Sequence, residues 1–263
     1  MRRIAIVQGR MSSRRLPGKI LADTAGVPLL MHVLRRAQAA DVFDVVVMAT
    51  STDPSDDPVE DFCTASGFAC FRGDLNNVLE RYFTAAKMYN ADLITRITAD
   101  CPLLDPQVVR AVNEAFDPVH HDYVSNTLER TYPNGLDTEV FSMEALTKAR
   151  ERAMLPSEKE HVTPFIYKNP DMFRMHQITQ KHDLSSLRWT VDELRDLEFV
   201  RAVFEELGTG TFGQREILAL LKRRPELRGM NEGISNDGYQ RSLAEDERIK
   251  NGGPSSSSTA LSA

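Results

Sequence analysis

The chain has 263 residues, 41% of them hydrophobic, and a formal net charge of −6. That length and apolar share suffice for the core of one large domain, and the mildly acidic balance excludes the broad positive field of a general nucleic-acid binder. Cys63, Cys70 and Cys101 form neither a CxxC pair nor zinc-ligand spacing, and no apolar run approaches the roughly 20 residues that span a bilayer.

In chain order, short apolar runs alternate with helical segments. Ile4–Val7 reads as a strand, followed by a loop rich in Arg, Ser and Gly and then an amphipathic stretch from Pro28 to Ala39. Val45–Thr50 and Ala69–Phe71 read as two more strands, and Leu93–Thr98 as a fourth. Between the last two, a helix over Asn77–Asn90 places Val78, Tyr82 and Ala86 on one face. This alternation predicts an α/β domain: a mostly parallel, Rossmann-like sheet covered by helices on both faces. Tyr123–Asn126 and Glu139–Phe141 flank a Pro133-Asn134-Gly135 turn signal and predict a small antiparallel excursion. Helices are expected near Met143–Arg152, Glu158–Lys168, Asp192–Leu207 and Phe212–Arg223, with a late strand over Leu187–Val191. The domain is expected to occupy residues 1–243. From Ala244 onward, charged residues give way to Gly252-Gly253-Pro254 and a serine run, which predicts a disordered tail over 244–263. An odd cysteine count suits a reducing compartment, and Met1–Gln8 reads as charge and strand rather than a signal peptide. A cytoplasmic protein is expected, with neither nucleic acid nor membrane as partner.

In such sheets ligands sit beyond the carboxyl ends of the strands. The stretch Gln8-Gly9-Arg10-Met11-Ser12-Ser13-Arg14-Arg15-Leu16-Pro17-Gly18-Lys19 leaves the first strand at that edge. It combines cations that offset a triphosphate with small residues that let the backbone approach it. It is neither a Walker loop nor a GxGxxG fingerprint. The plain alternative is a solvated basic loop, but position after the first strand, with Pro17 stiffening the backbone, favours phosphate.

Residues 9–19 resemble the A-R-x-x-S-x-R-L-P-G-K motif of the acid-sugar cytidylyltransferases, a group that includes the CMP-KDO and CMP-sialate synthetases and the SpsF-type spore-coat polysaccharide branch. The resemblance continues through Phe71-Arg72-Gly73-Asp74, Arg96-Ile97-Thr98-Ala99-Asp100-Cys101-Pro102-Leu103, Asn134-Gly135-Leu136-Asp137, Glu160-His161-Val162-Thr163-Pro164 and Leu187-Arg188-Trp189-Thr190-Val191-Asp192. It implies a homodimeric enzyme that transfers CMP from CTP to a small anionic acceptor and releases pyrophosphate. Arg10, Arg15 and Lys19 would hold the triphosphate, and the backbone around Gln8, Gly9 and Arg10 would face the base. Gly9 stands where the family usually has Ala, a neutral exchange for backbone contacts. Arg10, Lys19 and Asp100 would carry the catalysis, and Arg72 would contact the nucleotide or the acceptor.

Asp100 and Asp192 each follow an expected strand at the ligand edge, so the two carboxylates are candidate ligands of Mg2+, a hard cation that takes oxygen donors. For Asp192, which precedes a helix, N-capping is the competing role. The resemblance favours metal ligation for both, although Leu194 replaces the Pro usual in its D-x-P-x-D-L-E segment. Arg96, inside a buried-looking strand, needs either an acceptor carboxylate or a structural partner. Asn126, Asp137, Glu160, His161 and Arg188 complete the expected acceptor pocket. Trp189, on the opposite face from Arg188 and Asp192, is expected in the core. Two other readings stand beside this one: a nucleotide-sugar-dependent glycosyltransferase, disfavoured by the lack of an Asp-x-Asp at a central strand end, and a binding module that has lost its chemistry.

Overall fold

The computed structural model describes residues 1–235 and 237–251. The first half alternates as its periodicity predicts. Strand β1 (Arg3–Gln8) leads through the basic loop and a two-residue-per-strand hairpin, β2 (Asp23–Thr24) and β3 (Val27–Pro28), into α1 (Leu29–Ala39). Then come β4 (Val45–Ser51), α2 (Asp57–Ser66), β5 (Ala69–Gly73), α3 (Val78–Met88), β6 (Leu93–Thr98) and α4 (Pro106–Glu114). The second half adds β7 (Tyr123–Ser125), β8 (Glu139–Ser142), α5 (Met143–Arg152), α6 (Pro156–His161), α7 (Pro164–Tyr167) and β9 (Met175–Gln177). Helices α8 (Leu194–Leu207), α9 (Gln214–Arg223) and α10 (Asp237–Lys250) follow.

Seven strands form one sheet in the order β5-β4-β1-β6-β8-β7-β9. β1 is parallel to both β4 and β6, and β8 runs antiparallel to β6 and β7. The chain moves outward from β1 through β4 to β5, then returns to place β6 on the other side of β1. That reversal is the switch point where open α/β sheets hold ligands. Side chains of β1 alternate: Ala5 and Val7 enter a core with Leu30, Val33 and Phe204, while Ile4 and Ile6 enter a second core with Tyr82, Phe141 and Ile166. Burial on both faces explains why the strand reads as a continuous apolar run.

Four expectations need correction. Leu187–Val191 is no strand; its ladder is a single bridge between Asn134 and Arg188. The segment is clamped instead, with Trp189 N–H donating to Asn134 O at 2.6 Å and Val191 N–H to Asp100 O at 2.8 Å. The helix expected over Glu158–Lys168 is two short ones, because Val162 takes a positive φ of 72° and Pro164 has no N–H to continue the ladder. Helix α8 starts at Leu194, two residues later than expected. Finally, residues 244–250 belong to α10 rather than to a disordered tail. Asp246, 2% exposed, accepts from Ser157 N–H and Oγ at 2.9 and 2.5 Å and so caps the start of α6 from another helix. The expected tail over 252–263 lies outside the described residues. Trp189 is core, at 1% exposure.

Candidate active site

At the β1–β6 switch point a cleft of about 500 Å3 is lined by Gln8, Gly9, Arg10, Arg15 and Lys19 from the basic loop and by Asp100 and Asp192 at its floor. Gly9 is sterically required here: a Cβ on it would lie 2.5 Å from the Ala99 Cβ, where the ends of β1 and β6 converge. Replacement of the family's usual Ala is therefore not neutral in this chain.

The loop holds its own shape. Gly18, at φ 75°, donates its N–H to Met11 O at 2.8 Å, and Met11 N–H donates to Asp56 Oδ1 at 2.7 Å. Asp56 is fully buried and also accepts from Ser51 N–H and Oγ. The loop after β4 thus braces the loop after β1, a role that no local signal around Asp56 announces.

Lys19 ends the loop with its ammonium buried. Its Nζ donates to Asp100 Oδ2 at 2.8 Å, to Asp192 Oδ1 at 2.9 Å and to Val191 O at 2.6 Å. Burial opposes both charges. The two aspartates nevertheless hold Lys19 above its ordinary value, and Lys19 holds Asp100 below the ordinary carboxylate range. Asp192 does not cap α8. Asp196 reaches back to the N–H groups of Asp192 and Glu193 at 2.9 and 3.0 Å, which leaves Asp192 to face the cations. Its Oδ2 accepts from Arg15 and Arg188, each at 2.8 Å. Two carboxylates converging on one ammonium make an oxygen-donor pair of the kind magnesium uses alongside phosphate oxygens. Among the described residues no group of three His, Cys, Asp or Glu side chains offers a closed, protein-only metal cage. The pair fits an ion held jointly with a phosphate.

Arg96 also lines the cleft, on the face of the sheet that carries α6. It donates to Gln8 Oε1 at 3.1 Å and pairs with Glu139, which further accepts from Tyr123 Oη and Thr163 Oγ1, each at 2.6 Å. The expected partner of Arg96 is therefore Glu139, inside the protein. An arginine donates only, so its contact fixes the Gln8 amide with the oxygen inward. Glu160 and His161 stand on the cleft wall with α10. Ser242 Oγ donates to Glu160 Oε2 at 2.7 Å and lies 2.9 Å from His161 Nε2. Since the Ser242 proton is directed at Glu160, His161 donates from Nε2. Burial and then the charge of Arg96 push His161 below its ordinary value, so the ring is neutral near pH 7.

Four expected site residues lie elsewhere. Arg72 bonds Ser51 O, Asp53 O, Glu60 and Asp57, pinning the loop after β4. Asn126 is buried in the long β7–β8 connection, bonding Leu136 O and Thr138 N–H. Asp137 forms a two-bond pair with Arg130. Arg188 grips Asp192 and Asp196 behind the cleft floor. Conversely, Arg14, Thr98 and, from α10, Gly238, Arg241, Ser242 and Glu245 line the cleft without having been expected.

A family model described as cytidylyltransferase matches residues 4–207. The chain belongs to the cytidylyltransferase family. A cytidylyltransferase from Leptospira borgpetersenii shares its fold with a TM-score of 0.84 at 30% identity, over 90% of this chain and 100% of that one. The spore coat polysaccharide biosynthesis protein SpsF of Bacillus subtilis is 30% identical over 84% of this chain and 94% of its own length. A 3-deoxy-manno-octulosonate cytidylyltransferase of Yersinia pseudotuberculosis is 28% identical over 84% of this chain and 91% of its own. No helix among the described residues of this cytidylyltransferase is long and apolar enough to cross a membrane.

Proposed function

We propose that this cytidylyltransferase transfers CMP from CTP to an acid sugar or a related anionic acceptor and releases pyrophosphate. The observation that carries the reading is the basic loop set against Asp100 and Asp192 at the switch point. An acceptor oxygen attacks the α-phosphorus; a new P–O bond forms as the bond to the β-phosphate oxygen breaks, and the pyrophosphate takes that electron pair. Arg10 and Arg15 hold the triphosphate, and Lys19, its three N–H groups given to Asp100, Asp192 and Val191 O, holds the two carboxylates in place beneath it rather than binding the phosphates as expected. The backbone of Gln8 to Arg10 faces the base, and Glu160 and His161 orient the acceptor. Asp100 and Asp192 would hold Mg2+, whose charge, when bound, would offset that of the phosphates. Positioning and charge neutralisation supply most of the acceleration in phosphoryl chemistry of this kind. The reading also includes a homodimer, on resemblance alone, which light scattering tests, and a cytoplasmic location, on the odd cysteine count.

The first experiment is thermal melting with CTP, UTP, GTP or ATP, each with and without Mg2+. A ligand at about 100 times its Kd that binds only the folded state adds roughly 2.7 kcal/mol. A rise selective for CTP with Mg2+ is expected. No shift with any nucleotide overturns the reading.

A further inference from the structure

Just past His161 the chain reverses through a three-residue turn. Val162 takes φ 72° and ψ −56°, and Thr163 N–H donates back to His161 O at 2.8 Å. A γ-turn of this hand is rare and strained, the more so for a β-branched residue. Both sides of it are pinned. Val162 is fully buried in the core with Tyr82, Phe141 and Ile166, and Thr163 Oγ1 donates to Glu139 Oε1 at 2.6 Å. Strain persists where the surroundings over-determine it, and it collects at functional sites. Here it sets the position of one imidazole, which is 26% exposed and lines the cleft.

We propose that His161 is the base of the transfer reaction, its Nδ1 taking the proton of the attacking acceptor hydroxyl. This deepens the cytidylyltransferase reading and rests on it. A hydrogen-bond chain between α6 and α10 fixes the tautomer. Ser242 Oγ gives its proton to Glu160 Oε2 at 2.7 Å and accepts from His161 Nε2 at 2.9 Å. A neutral ring with its proton on Nε2 keeps a lone pair on Nδ1, and Nδ1 has no hydrogen-bond partner among the described residues. A proton acceptor oriented by a second group, with a carboxylate behind it, is suited to general-base work. The charges acting on the ring are Arg96 on β6, Glu160 on its own helix, Glu139 on β8 and Asp246 on α10, and Tyr239 stands edge-on to it. Burial and then Arg96 hold the ring below its ordinary value of about 6.5, so the base form is present at neutral pH. In the step itself the hydroxyl oxygen bonds to the α-phosphorus as its proton passes to Nδ1. The electron pair of the broken P–O bond leaves with pyrophosphate, and the imidazolium then returns its proton to water.

Two measurements on the full chain test this. The first needs no acceptor: nitrogen NMR spectra of protein labelled in histidine, with His161→Asn identifying the signal. A proton on Nε2 at pH 7 and a titration midpoint below about 6.5 are expected; a proton on Nδ1 overturns the proposal. The second follows pyrophosphate release across roughly pH 5 to 9, with saturating CTP, Mg2+ and a panel of acid sugars that begins with 3-deoxy-manno-octulosonate. In His161→Asn an amide replaces the ring, able to hydrogen-bond a hydroxyl but unable to take its proton. Its kcat is expected to fall about 100-fold or more, with the KM for CTP and for the acceptor within about threefold of wild type. The acid limb of kcat/KM for the acceptor disappears, and added imidazole restores part of the activity of His161→Ala. A merely orienting His161 predicts a raised acceptor KM with kcat and the acid limb kept; that result overturns the proposal and leaves the reading in place. Melting curves check each variant. Ser242→Ala keeps the ring and removes its link to Glu160, so kcat falls and the midpoint of the acid limb moves to lower pH; an unmoved midpoint also overturns the proposal. If the wild type binds no CTP, or releases pyrophosphate with no acid sugar, the reading falls and the proposal with it.

Discussion

The ammonium of Lys19 lies 2.8 Å from Asp100 and bridges it to Asp192 at 2.9 Å, so residues 81 and 173 positions away in sequence share one proton donor. A third hydrogen bond, to Val191 O, leaves no N–H of Lys19 unused. Lys19 is thus the keystone of the cleft floor as well as part of the basic loop. Its replacement by Met takes the ammonium away from Asp100, while Asp192 keeps Arg15 and Arg188. We expect Lys19→Met to lose roughly 3–5 kcal/mol of stability, the usual cost of breaking a buried ion pair. Urea unfolding checks this; a loss under about 1 kcal/mol would show that the pair is solvated rather than buried.

Arg10 and Arg72 separate nucleotide binding from loop support. Arg10 lines the cleft, its NH1 donating to Leu75 O at 3.4 Å, whereas Arg72 bonds Ser51 O at the end of β4, Asp53 O in the loop after it, and Asp57 and Glu60 on α2. Arg10→Ala is expected to weaken CTP binding at least tenfold, the scale of one charged phosphate contact. Arg72→Ala is expected to leave CTP affinity within about twofold while lowering the melting temperature modestly. Titration calorimetry on both variants decides between them.

Acid should unfold the protein partly through Asp196. Its carboxylate is fully buried, which by itself disfavours the charge. Hydrogen bonds from Arg188 and from the N–H groups of Asp192 and Glu193 nevertheless hold it below the ordinary carboxylate value. A lowered carboxylate contributes stability that is complete above its unfolded value of about 3.9 and fades as pH falls through the folded value. The melting temperature is therefore expected to decline below about pH 4. Asp196→Asn is expected to melt lower than wild type at pH 7, with a shallower acid limb. Parallel acid limbs in the two proteins would assign the acid sensitivity to other carboxylates.

Gly135 locks the cleft floor to the β7–β8 connection. At φ 113° it takes a backbone that side-chain-bearing residues avoid, and a Cβ there would stand 2.7 Å from the carbonyl carbon of Trp189. Gly135→Ala is expected to cost about 1–3 kcal/mol and, by displacing the 187–192 segment, to reduce turnover beyond its effect on stability. Retention of wild-type turnover per folded molecule would show that Asp192 is placed independently of this contact.

The first half of the fold was legible because its strands are buried on both faces and its helices are amphipathic, so periodicity alone separates them. The basic loop and Asp100 were legible for a related reason: strand ends at a switch point are where such sheets keep their chemistry. Asp192 was found at the right edge, but its surroundings were misread, since Leu187–Val191 is extended without a neighbouring strand and composition does not distinguish a clamp from a ladder. Helix α10 was missed as a whole because its buried face is partly polar. Tyr239, Ser242, Leu243, Asp246 and Ile249 recur at helical spacing, but Ser242 and Asp246 interrupt the apolar stripe. Arg72, Asn126 and Asp137 were drawn toward the site by motif; each is instead satisfied by partners distant enough in sequence that no local pattern reveals them.

Arg15 touches both halves of the cleft at once, donating to Asp192 at 2.8 Å and to the carbonyl of Ser235 at 3.2 Å, just ahead of α10. One side chain therefore ties the cleft floor to the segment that leads into α10, so the aspartate at the floor and the approach to that helix are coupled through a single guanidinium.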